Sequence, residues 1–353
     1  MRLLLVTQVL DTEHPILGFF HAWIEEFAKH CESVIVICLQ EGTYALPQNV
    51  RVLSLGKEEG VSRIEYLRRF FRYIYNERNS YDSVFVHMNQ IYVVLGGVLW
   101  RLWKKKITLW YAHGSVPALL RFAVLFVHVV FTSTPQGLRL ETSKKCIVGQ
   151  GIDATLFDFR AHRMGDELNL ITVGRVSPVK DLETIIDTVG VMHTNEAHCL
   201  LSIVGDAETA SQHTYKHSII ERIKNREIEA FVTWRGSQSH AEIAHSVGRA
   251  DVFIHSSRTG SLDKVVLEAL AVGTLPVTCD PTLAHDLPDD LKRVCCVPSG
   301  DVQAYVRALM YIRALSSDES DRLRKKGREY VIHNHSLTQL IPKILDGIEK
   351  ITF

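Results

Sequence analysis

Along the chain, short runs of Val, Ile and Leu alternate with longer segments whose apolar residues recur every three or four positions. The first half has apolar β-type runs at 3–9, 33–39, 50–55, 83–87, 107–112 and 127–133, with helical periodicity between them, as at 18–29 and 63–75. Near-continuous apolar runs separated by helices predict parallel strands covered on both faces, rather than strands with one wet face.

The pattern then breaks and restarts. Gly149-Gln150-Gly151-Ile152-Asp153 leads into 157–166, which is polar and without periodicity, so 151–166 reads as a linker. Beyond it, strands are expected at 168–173, 199–204, 230–234, 251–255, 274–277 and 294–297, followed by helices at 302–315, 320–333 and 337–351. A chain of 353 residues is about two domains of ~150 residues each. The expected fold is therefore α/β, with two Rossmann-like domains facing a cleft and helices at the C-terminus. The first domain spans 1–150 and the second 167–335, and the helix at 336–353 is expected to pack back on the first.

Charge changes this picture only once it is divided. The whole chain has 40 basic and 40 acidic residues, which argues against binding nucleic acid through a general positive excess. Divided after Arg163, the first part has net charge +5 and the remainder −5. Between Arg101 and Lys145 there are eight Lys or Arg and one acidic residue, Glu141. Such a stretch is either a solvated face or a docking face for an anionic membrane or substrate. Arg68-Arg69-Phe70-Phe71-Arg72 and the segment 100–106 mix cations with aromatics, which suits either a bilayer surface or a core helix with a basic outer face.

Seven scattered cysteines without a C-x-x-C pair read as reduced thiols of a cytoplasmic protein. The opening Met1-Arg2-Leu3-Leu4-Leu5-Val6 reads as a first buried strand, since no small-residue cleavage site follows. The apolar stretch 122–131 falls well short of the ~20 residues of a membrane-spanning helix.

Ligands of open parallel sheets bind beyond the carboxyl ends of the strands. Gly174-Arg175 follows one expected strand there, with Lys180 five residues on, Gly205-Asp206 a second, Arg235-Gly236 a third and Ser256-Ser257 a fourth. Two fixed cations such as Arg175 and Lys180 suit a leaving diphosphate, whose negative charge grows as its bond breaks. The loop Ser257-Arg258-Thr259-Gly260-Ser261-Leu262-Asp263-Lys264-Val265-Val266 opens an apolar helix, whose N-terminal N–H groups attract phosphate. Glu268 lies within that helix and is expected to face the cleft and accept ribose hydroxyls; an exposed i,i+4 pair with Lys264 is the plainer alternative.

Taken together, these segments resemble the donor-binding half of a GT-B fold glycosyltransferase of family 4, whose pattern is G-R-x-x-x-x-K, then E-x7-E, then Gly and Pro-Val. The connection Gly149-Gln150-Gly151-Ile152-Asp153-Ala154-Thr155-Leu156-Phe157 resembles that family's N-G-I-D-x-x-x-F. The first half is similar more loosely, through Trp110-Tyr111-Ala112-His113-Gly114-Ser115 and Phe131-Thr132-Ser133-Thr134. The resemblance implies retaining, metal-independent transfer from a nucleotide-sugar donor to a saccharide or lipid-linked acceptor, and the cation–aromatic segments 68–72 and 100–106 add the expectation that it works at the inner face of a membrane. Arg175 and Lys180 would hold the donor diphosphate and Glu268 its ribose. N–H groups around Val265 and Val266 would meet phosphate, and Arg235 and Gly236 would lie near the base. His113 would face the scissile bond, Gly18 would approach the diphosphate from the other side, and Asp11 and His87 would be weaker acceptor contacts.

One departure bears on activity. The first Glu of E-x7-E falls at Gly260, so sugar recognition would be rebuilt, as with Asp263 and Lys264, or lost. A non-catalytic nucleotide-sugar binder and an epimerase-like or phosphorylase relative are the rival readings. No G-x-G-x-x-G follows the first strand, which disfavours a nicotinamide dehydrogenase. His213 and His217 share i,i+4 spacing without an evident third ligand, so no metal site and no resident cofactor are expected.

Overall fold

The computed structural model describes residues 1–14, 17–161, 164–259 and 262–352. It divides into two compact units, Met1–Asp153 with His335–Phe353, and Ala154–Asn334.

In the first unit, seven parallel strands form one sheet in the order β3-β2-β1-β4-β5-β6-β7. They are β1 (Arg2–Leu10), β2 (Ser33–Glu41), β3 (Val50–Ser54), β4 (Ser83–His87), β5 (Lys106–Trp110), β6 (Val129–Thr132) and β7 (Lys145–Ile147). The apolar start of the chain has a direct cause: β1 lies inside the sheet, with Leu3 opposite Val34 on one side and Ser83 on the other. Alternate residues then serve opposite cores. Leu3 and Leu5 pack with Phe20, Trp23 and Phe27 of the helix Phe20–His30 and with Leu340, Ile341 and Ile344 of the helix Leu337–Glu349. Leu4 and Val6 pack with Phe70, Ile74 and Trp100 on the helices Arg63–Asn76 and Gln90–Leu102, and with Leu120 on Ala118–Phe126. The C-terminal helix is tied down where the backbone N–H of Leu337 donates to Ile152 O at 2.8 Å and that of Ile152 to His335 O at 2.7 Å.

The second unit has five parallel strands in the order β10-β9-β8-β11-β12. These are β8 (Leu168–Val173), β9 (Cys199–Val204), β10 (Val232–Gly236), β11 (Val252–His255) and β12 (Leu275–Thr278). The strand order reverses between β8 and β11, and in the first sheet between β1 and β4, which are the places where an open parallel sheet leaves a crevice for a ligand.

Two local expectations differ from the structure. The segment 294–297 is not a strand: the helix Asp289–Cys295 runs through it, and Cys296 makes only an isolated bridge to Thr278. Asp289 and Asp290 favour the helix start, and Leu291, Val294 and Cys295 are buried at helical spacing. An apolar run of four residues cannot separate the two periods. Conversely β7, three residues with a polar start, is held by pairing with β6 and had no apolar signal of its own.

All seven cysteines are free thiols. Among the described residues, no helix is long and apolar enough to cross a membrane. Ile344 is fully buried in the core shared with Trp23 and Trp110. Ile344→Ala is therefore expected to cost about 2–5 kcal/mol. An unchanged tryptophan-fluorescence transition in denaturant would show that the C-terminal helix contributes nothing to this unit.

Candidate functional site

At the carboxyl ends of β8, β9 and β10 stand Gly174, Gly205 and Gly236. Gly174 N–H donates to Val204 O at 3.0 Å, and Gly205 N–H to Gly236 O at 2.7 Å. Gly205 has φ +124°, and a Cβ there would lie 2.0 Å from Gly174 O, so only glycine lets the strand ends approach this closely. Gly174 has φ +152°, and the aliphatic stem of Lys180 lies over it, 3.4 Å from the place a Cβ would take.

Lys180 is held by a loop from across the sheet. Its turn, Pro178–Lys180, ends on Asp181, a left-handed residue (φ 51°) whose carboxylate is buried. Asp181 Oδ2 accepts hydrogen bonds from Thr184 Oγ1 at 2.8 Å and from Arg258 Nε and Nη2 at 2.9 and 2.6 Å. Ser256 Oγ lies 2.9 Å from Lys180 O and 2.8 Å from Asp181 O, and Arg258 N–H donates to Val179 O at 2.8 Å. These contacts join the turn after β8 to the loop after β11, its neighbour in the sheet.

At the centre is Asp263. Its Oδ2 accepts from Lys180 Nζ at 2.6 Å and contacts His255 Nε2 at 2.8 Å. His255, the last residue of β11, is buried; its Nδ1 lies 2.9 Å from Thr278 Oγ1, and its carbonyl accepts from Tyr305 Oη at 2.7 Å. Burial opposes ionisation of Asp263, but His255 and Lys180 outweigh it and hold the carboxyl below the ordinary carboxylate range. Sequence reasoning named Lys180 and Asp263, and Ser256 as a strand-end residue, but gave no role to His255, Asp181 or Arg258. A histidine ending a strand before Ser-Ser is the signal that was available.

Glu268 does not stand open as expected. It is 1% exposed, and neither carboxylate oxygen makes a hydrogen bond. Lys264 Nζ lies 3.6 Å and His240 Nε2 3.7 Å from its Oε1. Burial raises its pKa against the opposing pull of Lys264, and burial together with Lys264 pushes His240 down to about 4. The helix Lys264–Val272 starts at Asp263, with Val266 N–H donating to Asp263 O at 3.1 Å and Val265 half-buried beside it. Ser257 is buried, with its Oγ 3.3 Å from Thr259 Oγ1. Gly260 and Ser261 lie outside the described residues.

Other expected residues stand apart from this group. Arg175 is exposed and has no hydrogen bond among the described residues. Asp206 is paired with Lys216 at 2.7 Å, which lowers its pKa together with the Ala207 N–H. Arg235 is exposed and lines a separate cavity of about 640 Å³ with Asn169, Ser202, Gln238 and His245.

In the first unit, His113 follows β5 and is exposed; its Nδ1 accepts from Ser115 N–H at 3.1 Å and lies 2.8 Å from Ser115 Oγ. His87, at the end of β4, is buried and stacked on Phe20 with ring centroids 4.0 Å apart. Gly18 has no room for a Cβ, which would lie 2.7 Å from Thr12 O. Asp11 Oδ1 accepts from Glu13 N–H at 3.0 Å and Thr43 N–H at 3.3 Å, so its carboxylate pins its own loop.

Residues 155–330 match the family Glycosyl transferases group 1. WcaL of Escherichia coli, named for a glycosyltransferase role in colanic acid biosynthesis, is 25% identical over 201 residues, 54% of this chain and 47% of WcaL. The match thus spans about half the length of that relative. The fold is similar to that of Anabaena HepE crystallised with UDP (TM-score 0.75, 14% identity, 99% of this chain and 100% of that one). It is equally similar to sucrose-phosphate synthase from Thermosynechococcus elongatus (TM-score 0.76, 16% identity, 97% of each chain).

The raised pKa of Glu268 has a consequence for stability. A carboxyl that holds its proton more tightly when folded stabilises below its unfolded pKa, about 4.3, and that contribution is lost as pH rises through the folded value. Glu268→Gln is expected to be more stable than the parent near pH 8 by about 1–3 kcal/mol, with the gap closing toward about pH 4. Melting curves across that range check this, and a parent protein that melts higher than the variant at pH 8 contradicts it.

Proposed function

The chain has the GT-B fold and carries a glycosyl transferases group 1 domain over residues 155–330, and on that footing we propose that it transfers a glycosyl group from a nucleotide-sugar donor to a saccharide or lipid-linked acceptor. The observation that carries the reading is the cation Lys180 lying over Gly174 at the strand-order reversal of the second sheet, within the matched segment. A phosphate ligand at that crevice meets strand-end glycines, a helix N-terminus and a positioned ammonium together.

In the proposed reaction the bond from the anomeric carbon to the donor phosphate breaks, and its electron pair leaves on the diphosphate. Lys180 and the exposed Arg175 meet that charge, so the transfer proceeds without a metal and without a resident cofactor. Gly174, Gly205 and the N–H groups near Val265 and Val266 let backbone approach the phosphates; Ser257, Thr259 and Ser261 add hydroxyls. Glu268 accepts ribose hydroxyls once Lys264 swings aside, which gives its oxygens donors that no protein group supplies. Arg235 and Gly236 lie toward the base, and Asp206 helps shape the turn after β9. The acceptor hydroxyl attacks from the face the diphosphate leaves, through an oxocarbenium-like transition state, and its proton goes to the departing phosphate. Retention of anomeric configuration follows from that geometry.

The first unit takes the acceptor. His113 has Nδ1 occupied by Ser115 N–H, which leaves Nε2 for a ligand hydroxyl. His87 and Asp11 are packed and hydrogen-bonded within their own surroundings, so they shape the pocket wall and its loop instead of touching the acceptor. The unit also carries a docking face for an anionic membrane. The helices Arg63–Asn76, Gln90–Leu102 and Ala118–Phe126 share one face of the sheet. They leave Ile64, Leu67, Phe71, Val98, Leu102, Phe122 and Leu125 exposed beside Arg72, Arg101, Lys104 and Arg121. Apolar side chains interspersed with cations fit an acidic bilayer at the cytoplasmic side. The acid-for-glycine difference at Gly260 supports one second reading, a binder that holds the nucleotide sugar without turning it over.

Lys180→Ala and Glu268→Ala are each expected to reduce transfer at least about a hundredfold, the scale of one lost transition-state or positioning contact. Donor turnover unchanged in both variants would refute the site, and donor binding without turnover across an acceptor panel would favour the binder. Co-sedimentation with phosphatidylglycerol vesicles at low salt is expected and should fall in Phe122→Ser/Leu125→Ser. Equal recovery with neutral vesicles would refute an electrostatic membrane contact.

A further inference from the structure

The pair formed by Lys180 and Asp263 raises a question that the reading above leaves open. The ammonium offered to a diphosphate already has a carboxylate 2.6 Å away, with both side chains less than one-fifth exposed. One of the two must move when phosphate arrives. Asp263 is the fixed member: His255 holds its Oδ2 at 2.8 Å, and His255 is itself anchored by Thr278 and by Tyr305. The Asp263 N–H adds a contact to Asp280 Oδ2 at 3.3 Å. Lys180 is the movable member, a four-carbon stem over a glycine with no other hydrogen-bond acceptor among the described residues.

We propose that Asp263 is a built-in stand-in for the donor diphosphate, which pairs with Lys180 and surrenders it when a nucleotide sugar binds. The inference rests on the placement of the diphosphate at Lys180 in the reading above. Once Lys180 has moved, Asp263 stays in place on His255, a positioning residue, and its Oδ2, still held by His255, has the acceptor position of the lysine freed. A hydroxyl of the donor sugar can donate to that oxygen, which supplies a carboxylate near the sugar in a chain that has glycine at position 260. A nucleoside diphosphate without a sugar offers no such donor. It meets instead a carboxylate that has lost its lysine partner, beside its own negative charge. Asp263 thereby separates donor from product: it is satisfied by the nucleotide sugar and repels the diphosphate that remains after transfer.

The test compares the parent with Asp263→Asn and Asp263→Ser, serine being a second residue suited to starting the following helix. Calorimetry with UDP, GDP, ADP and inorganic pyrophosphate measures product-side binding, and steady-state kinetics on the donor that the parent turns over measures transfer. Both variants are expected to bind the diphosphate about tenfold more tightly, the scale of removing one neighbouring like charge, while donor kcat/KM falls at least about tenfold. A merely structural loss would weaken both. Diphosphate binding unchanged or weaker in both folded variants, while Lys180→Ala still abolishes it, overturns the exchange and leaves the site intact. A parent that binds none of the four probes overturns the placement of the diphosphate itself.

Discussion

The central strands of both sheets pair on both edges and are covered on both faces, and this leaves their carboxyl ends as the places where backbone and solvent meet. The apolar side chains Leu3 to Val6 of β1 face two different cores in alternation, so none of these four can serve a ligand without losing packing. Chemistry is displaced to the turns. In the second sheet this has produced a row of strand-end glycines, with Gly205 so close to Gly174 O that no Cβ fits between them. Where the strand order reverses, side chains from the turn after β8 and the loop after β11 can meet without crossing another strand.

The charged groups gathered there are of two kinds. Asp263 is half-buried but ionised, because His255 and Lys180 compensate it at hydrogen-bond distance. Glu268 is buried with no hydrogen bond at either oxygen, so desolvation outweighs the pull of Lys264 and raises its pKa. One helix turn thus separates a carboxylate that the protein's own groups satisfy from one that they leave without a hydrogen bond. The second condition costs stability in the absence of ligand, which is the usual circumstance of a group whose partner arrives from outside.

How much was legible in advance varied with the range of the interaction. Gly174, Lys180 and the loop opening at Ser257 were readable because strand-end glycine, cation spacing and a Ser/Gly stretch before an apolar helix are local features. Glu268 was placed on the right helix and expected to face open space; its burial behind Lys264 and His240 depends on a residue 28 positions earlier in the chain. His87 was weighed as a contact and is stacked into an aromatic cluster. Asp11 was weighed likewise, and its carboxylate is spent on the turns around it. The segment 294–297 was misread for a simpler reason. Four apolar residues fit either period, and the two acids that start the helix lie before them.

By itself, the sequence determined the alternation of buried strands and helices, the break that separates two α/β units, and the positions at which glycine and cations end the strands. These depend on side-chain size, periodicity and backbone freedom within a few residues. Only the tertiary structure decided that Lys180 meets Asp263, 83 residues away, and that His255 holds that carboxylate in place. The reason is the strand order: β11 lies beside β8 in the sheet while two strands intervene in the chain, and no local pattern encodes that adjacency.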